Sequence, residues 1–305
     1  MAVWPDLTEY HEAVQYPARA FQDPTLKGSK LELDRFGMPK PSTGANAVVY
    51  RATDAQGGLW AIRCFLRPIT DHAERYAAIS RHLQATKSEY ACGFEFLPEG
   101  VKVRGKWYPL VKMAWADGQL LHTYIQGKLK DPESIAALRE KWRRMIRLLE
   151  QAKIAHGDLQ QGNILVRNNN LLLVDYDGMW VPQLVGKLGT EIGHRAFQHP
   201  LRSQNEYGPY IDRFSALVIY LSLVALEKKP ELWDLFHNGD NLIFTQNDFR
   251  EGVTPLWKEL LSVNSAQTSH MMSAVIKALT LPVDKCPTLD DVLRAAPLPL
   301  PSWMK

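Results

Sequence analysis

The hydrophobic pattern of this chain changes period once, and that change limits the folds open to it. From Val48 onward, AVVYRATD, GLWAIRCFL, GVKVRG and KWYPLVKMAW are short β-branched or aromatic runs separated by turn chemistry such as DAQGG and RGK. They predict antiparallel strands. One helix interrupts them, because DHAERYAAISRHLQ places Ala73, Tyr76, Ile79 and Leu83 at helical spacing. After Gly118 the spacing is almost wholly helical. In DPESIAALREKWRRMIRLLEQ, Ile135, Leu138, Trp142, Met145 and Leu149 form one stripe, Asp131 is placed to cap and Pro132 fits the first helical position. The opposite face carries Lys141, Arg143, Arg144 and Arg147, the composition of a solvated face. Further on, CPTLDDVLRA offers Thr288 as a second cap, with Asp290 and Asp291 suited to the helix dipole. The expected class is α+β: a small antiparallel β lobe with one main helix, joined at about 116–118 to a larger, mostly helical lobe.

The totals agree with an ordinary soluble protein. The 305 residues are 46% hydrophobic and 23% charged, enough to bury a sizeable core. A net charge of +3, from 36 basic and 33 acidic residues spread along the chain, gives no electrostatic footprint for nucleic acid. Cys64, Cys92 and Cys286 are far apart, which argues for a reducing compartment and against a disulfide framework or zinc site. The N-terminus has no basic segment followed by an apolar run, and the longest apolar stretch, ALVIYLSLVAL at 216–226, is too short to span a bilayer. A cytoplasmic protein without membrane association is expected, with that stretch as a buried helix. The first 30 or so residues mix prolines with aromatics and suggest an extended arm or short helices packed on a domain; the tail APLPLPSWMK should be extended.

The chemistry concentrates in IAHGDLQQGNILV, at 154–166, where His156, Asp158 and Asn163 stand between apolar flanks. The following NILVRNNNLLLVDYDG reads as two short strands about an Asn-rich turn at 168–170. Such a hairpin returns Asp175 beside Asp158 and Asn163. Three oxygen-bearing side chains then converge, which suits Mg²⁺, a hard ion that shares its shell with phosphate and water. Asp158 is placed to accept a hydroxyl proton or orient the attacking oxygen.

HGDLQQGN followed by LVDYDG resembles the catalytic loop and metal motif of the protein kinase-like superfamily, which read H-R-D-x-x-x-x-N and D-F-G. The resemblance implies that Asp158 is the catalytic aspartate, that Asn163 and Asp175 hold the metal, and that His156 is structural. It extends over about 35–295: STGANAVVYRA falls in the place of the glycine-rich loop, WAIR in that of V-A-I-K, VKMAWADG in that of the hinge, and YIDRFSALVIYLSLVAL in that of the central helix begun by Asp212. It implies a bilobal protein kinase-like fold that binds ATP with Mg²⁺. Gly44, Arg63 and its candidate partner Glu74 would serve the phosphates; Met113 would be the gatekeeper, with the Ala114 carbonyl and Ala116 amide toward adenine.

Several positions depart from the family pattern. Ser42 and Ala47 replace the outer glycines, Arg63 the strand lysine, Gly157 the loop arginine and Gln160 the loop lysine. Arginine keeps the charge but needs a different seat for its bulkier fork. GTEIGHRAFQHPL resembles the activation segment that ends in A-P-E, with Leu201 in place of Glu and Cys286 in place of its buried arginine partner. Small-molecule kinases of the aminoglycoside and choline type share H-G-D and a D-x-D/E motif. The DYDGMWVP, GHRAFQHP and IDRFSALVIYLSL segments look most like a group of bacterial kinase-like proteins, some encoded with a PP2C-type phosphatase and a von Willebrand-type protein, which implies such partners. The expected organisation is an N-terminal extension at 1–34, a nucleotide-binding N-lobe at 35–117, a C-lobe with catalytic loop and activation segment at 118–295, and a Pro-rich tail at 296–305. The expected activity is transfer of the ATP γ-phosphate to a protein Ser/Thr hydroxyl, with a pseudokinase binding module and a small-molecule kinase as alternatives.

Overall fold

A computed structural model describes residues 4–44, 47–68, 71–250, 252–297 and 299–300. Ala45 and Asn46 of the segment in the glycine-loop place, and the end of the Pro-rich tail, lie outside these residues. The chain is α+β and divides into two compact units, Met1–Lys87 with Cys92–Ala116, and Ser88–Ala91 with Asp117–Lys305.

The first unit opens with three short helices, α1 (Leu7–Val14), α2 (Pro17–Ala20) and α3 (Pro24–Lys27). Each has a local reason to start. Asp6 and Glu9 form a reciprocal capping box on α1, Pro17 opens α2, and Asp23 caps α3 through the Leu26 N–H. An antiparallel sheet follows, in the order β1 (Lys30–Leu31), β3 (Ala47–Thr53), β4 (Leu59–Phe65), β6 (Lys106–Ala114), β5 (Phe94–Val103), with β2 (Pro41–Thr43) also on β3. Helix α4 (His72–Thr86) stands between β4 and β5 in the chain.

Register gives the sheet two distinct faces. Tyr50 pairs with Ile62, Val48 with Cys64, and Ile62 with Lys112, so these residues share one face. The arm covers it: Tyr10, Val14, Phe21 and Leu26 are all fully buried in one cluster with Val48, Tyr50, Ile62, Cys64 and Leu110. The opposite face carries Ala61, Arg63, Phe65, Val111 and Met113. There the Phe65 ring meets Tyr76 of α4 at 6.0 Å, so α4 packs on this side.

Lys112 joins arm to sheet. Its ammonium lies 2.7 Å from Asp23 and 2.9 Å from Glu95, the latter directly across the ladder. Burial opposes the charge on Asp23, yet the Lys112 hydrogen bond and the Leu26 N–H hold its carboxyl below the usual 3.8. Lys112, with burial likewise opposed by Asp23 and Glu95, is held above 10.5.

The second unit is built on α6 (Pro132–Gln151) and α7 (Arg213–Lys228), preceded by β7 (Gln119–Leu120) and α5 (Leu121–Lys128). Asp131 caps α6 by accepting from the Ser134 N–H, and the expected stripe is buried, with Ile146 added to it. Every residue of α7 from Phe214 to Leu226 is buried. Trp142 of α6 donates its indole N–H to the Ala216 carbonyl at 3.1 Å, satisfying the one polar atom of a fully buried ring. The basic face of α6 is partly used in ion pairs, Arg143 with Asp290 and Arg144 with Glu89. Strands β8 (Ile164–Arg167) and β9 (Asn170–Leu173) form a hairpin whose turn residues, Asn168 and Asn169, have φ of 46° and 61°. That is the hairpin turn asparagine favours. Helices α8 (Leu232–Phe236), α9 (Pro255–Ser262), α10 (Ala266–Leu279) and α11 (Leu289–Arg294) complete the unit, α11 being capped by Thr288 as expected. Among the described residues no helix is long and apolar enough to cross a membrane.

Asp23, with a depressed folded pKa, contributes stability present above about pH 3.8 and lost as pH falls through its folded value. Lys112, with a raised pKa, contributes below 10.5 and loses its share as pH rises through its folded value. Lys112→Met should therefore cost about 2 kcal/mol at neutral pH, between an exposed and a fully buried pair. It should also flatten the loss of stability below about pH 4. Urea denaturation across that range measures both, and a variant with wild-type slope would show that the arm is not tied to the sheet by this pair.

Candidate functional site

The loop of the second unit that carries His156, Asp158 and Asn163 is anchored from below. Asp212, at the N-cap of α7, accepts the His156 N–H at 2.5 Å and the Gly157 N–H at 2.8 Å, one on each carboxylate oxygen. Burial pushes the Asp212 carboxyl up, while the His156 and Gly157 N–H groups and Arg202 pull it down. His156 is fully buried, with Nε2 donating to the Val174 carbonyl at 2.9 Å and Nδ1 accepting the Asp158 N–H at 3.3 Å. Those two bonds require the neutral Nε2–H tautomer. The imidazole thus ties the loop to the strand end at Val174.

Val174 binds this loop on both sides, since its N–H donates to the Asn163 carbonyl at 3.0 Å. The next residue is Asp175, held at φ 65°, a conformation L-residues rarely adopt. The hairpin therefore returns Asp175 to the Asn163 end of the loop. The Asn163 amide nitrogen donates to the Asp158 carbonyl at 3.0 Å and to its Oδ2 at 2.8 Å, which leaves the amide oxygen without a donor among the described residues. That orientation presents an oxygen, which suits a hard cation. No group of three or more His, Cys, Asp or Glu able to hold a metal occurs among the described residues, so a cation here would use Asn163 Oδ1 with Asp175 and complete its shell with non-protein oxygens.

Asp158 is buried, and its carboxylate is held by three donors. Oδ2 takes Asn163 Nδ2 and Gln160 Nε2, the latter at 2.7 Å, and Oδ1 takes the His194 backbone N–H at 2.7 Å. Gln160 is thus turned inward to Asp158. The His194 bond brings the 189–201 segment onto the loop.

Gly157 is explained by its surroundings. Its φ is 83°, and a Cβ there would lie 2.1 Å from the Gly178 carbonyl oxygen. No arginine fits this position, because the two backbones are in contact where its side chain would begin. A cation is nevertheless present. Arg202 is buried beneath the loop, donating to the Gly157 carbonyl at 3.3 Å, the Ile211 carbonyl at 3.1 Å and Gln198 at 2.9 Å. Burial lowers its pKa, opposed by Asp212 and Asp158. Sequence reasoning missed this residue. Its one visible signal is an arginine directly after the Pro200–Leu201 pair that stands in the A-P-E place.

The ion pair judged absent in sequence is absent in kind: Leu201 is 66% exposed and Cys286 is buried. Arg213, the first residue of α7, instead bonds Glu150 at 2.9 Å and the Cys286 carbonyl at 3.2 Å.

In the first unit, Arg63 and Met113 share the α4 face of the sheet, Arg63 lying between Val49 and Val111 in register. Ala114 is exposed at the end of β6 with its N–H on the Gly93 carbonyl, and no described residue accepts the Ala116 N–H. Gly44 donates its N–H to the Ala47 carbonyl where β2 turns into β3. A Cβ at Gly44 would make only ordinary contact, 3.8 Å from that oxygen, so the turn itself does not demand glycine. Glu74 is exposed in the first turn of α4, whereas its neighbour Arg75 is buried.

No family model and no curated protein matches the chain.

Gly157→Ala should lower the stability of the second unit by more than about 2 kcal/mol, through a strained φ and the clash with Gly178. Chemical denaturation tests this, and a Gly157→Ala protein as stable as wild type would refute the packing described.

Proposed function

We propose that the two units are the small and large lobes of an atypical protein kinase-like domain that transfers the ATP γ-phosphate to a protein Ser/Thr hydroxyl. The observation that carries this is the Asp158–Asn163 pair: the Asn163 amide nitrogen is spent on the Asp158 carbonyl and Oδ2, which leaves its oxygen without a donor among the described residues, and Val174, the neighbour of Asp175, bonds the Asn163 carbonyl. A polar turn with no ligand has no need to fix an amide in that sense.

Asp158 would orient the acceptor hydroxyl and take up its proton. A carboxylate has about four acceptor positions, and three are filled, so one on Oδ1 remains for the hydroxyl. Asn163 and Asp175 would hold Mg²⁺, which supplies neutralisation of phosphate charge and a template for the phosphate oxygens. Arg63 would bind phosphate bidentately from the sheet, and the Ala116 N–H is available to a base edge. Within the loop neutralisation would thus rest on the ion, since Gln160 is engaged by Asp158. The segment at 189–201 lies on Asp158 through the His194 N–H, and the cavity beside it is lined by Arg195, Arg202 and Arg250, which favours a protein acceptor over the cationic small molecules an acidic pocket would take.

Asp158→Asn should reduce transfer of labelled γ-phosphate by about 10²–10⁴-fold, the usual scale for a positioned base. ATP affinity, measured by calorimetry, should change little. A second reading, a nucleotide-binding module without turnover, is favoured by the three donors already on Asp158. Nucleotide binding with no transfer in wild type would select it and reject the enzyme.

A further inference from the structure

A cavity of about 170 Å³ in the second unit lies beside the loop just described, lined among others by Gly193, Arg195, Gln198, Arg202, Gln246 and Arg250. Three of these are arginines, and no acidic residue lines it among the described residues. Arg195 is exposed and has no partner among the described residues, and Arg250 is held at the rim by the Gln246 amide oxygen when that amide is oriented to accept. The floor is unusual. Gln198 and Arg202 are 5% and 7% exposed, and each keeps one buried N–H without a partner, Gln198 Nε2 and Arg202 Nε. Buried donors are almost always satisfied, so two together on the wall of a basic cavity call for an acceptor from outside the chain.

The cavity is one residue from the reacting position. A Cβ on Gly193 would lie 2.9 Å from Asp158 Oδ1 and 2.6 Å from Gln198 Nε2, so this glycine lies against both the carboxylate and the floor amide. The adjacent His194 N–H is the donor to Asp158 Oδ1. A polypeptide with its hydroxyl at Asp158 would bring a side chain about one to three residues away to the arginines, given some 3.8 Å between successive Cα atoms.

We propose that this cavity selects the acceptor by binding an anionic side chain, carboxylate or phosphoester, close to the phosphorylated hydroxyl. The inference rests on the kinase reading above for the identity of the acceptor. Arg195 and Arg250 supply the charge at the mouth, and the Gln198 and Arg202 N–H groups supply directed bonds at the floor, the combination that recognises a planar or tetrahedral oxyanion.

The test uses the full chain and short labelled peptides with one Ser, flanked at each neighbouring position in turn by Asp, phosphoserine or Asn. Fluorescence anisotropy should give at least about tenfold tighter binding for one anionic set than for the Asn set, as expected of charge-assisted bonds. The better of the Asp and phosphoserine sets identifies the oxyanion. Arg250→Ala and Arg195→Ala, both at exposed positions, should each remove about fivefold of that preference, with Arg250→Lys recovering part of it. Equal binding of anionic and Asn peptides, a preference that survives both alanine variants, or binding of inorganic phosphate alone without peptide discrimination would overturn the proposal. Phosphate transfer from labelled ATP to the same peptides separates the two ideas. Transfer without anionic preference rejects the cavity and keeps the kinase, whereas anionic preference in anisotropy without transfer rejects the enzyme and keeps the cavity.

Discussion

The second unit depends on one buried carboxylate. Asp212 begins the most deeply buried helix of the chain and holds two consecutive N–H groups of the loop that precedes Asp158. The loop is irregular, so its backbone donors need partners that no ladder provides. By meeting that need from the end of α7, Asp212 fixes the loop to the helical core, and the position of Asp158 follows. His156 adds the second anchor, joining the loop to the strand end at Val174.

A carboxylate in such a place needs a counter-charge, because burial alone would drive it toward its neutral form. The loop cannot supply one, since Gly157 is pressed against the Gly178 backbone. Arg202 reaches in from the far end of the 189–201 segment, and its guanidinium also bonds the Gly157 carbonyl. The two charges stabilise one another, and the Gly157 peptide is gripped on both sides, by Asp212 at the N–H and by Arg202 at the oxygen. The segment, the loop and α7 are thereby coupled through backbone groups, which leaves little mark in the residue types of the loop.

That is why the sequence was readable in some places and opaque in others. The α6 stripe, its Asp131 cap, the buried 216–226 run and the asparagine turn are local patterns, and each element formed where its residues put it. The α+β class with antiparallel strands followed from the same periods. Gly157 and Arg202 are different: one read as a lost cation, the other drew no notice, and only their juxtaposition in space gives them meaning. The arm was legible only as a choice between an extended segment and short helices packed on a domain, since helices of four to eight residues hold too few turns for a period to emerge, and their anchors Tyr10, Val14, Phe21 and Leu26 gain significance only against the sheet.

The covered face of the small sheet also constrains Arg63. Strand alternation sends Ile62 and Cys64 toward the arm, where the cluster is apolar apart from the neutralised Lys112, so a guanidinium is tolerable only on the opposite face. There its register neighbours are Val49 and Val111, apolar surfaces suited to the aliphatic stem of an arginine. Lysine would satisfy the same stem but present a point charge, whereas the guanidinium holds its donors in one plane, and at Arg63 the Nε is buried. On the kinase reading, Gln160 is turned to Asp158 and Gly157 admits no side chain, so the loop offers a phosphate no cation of its own.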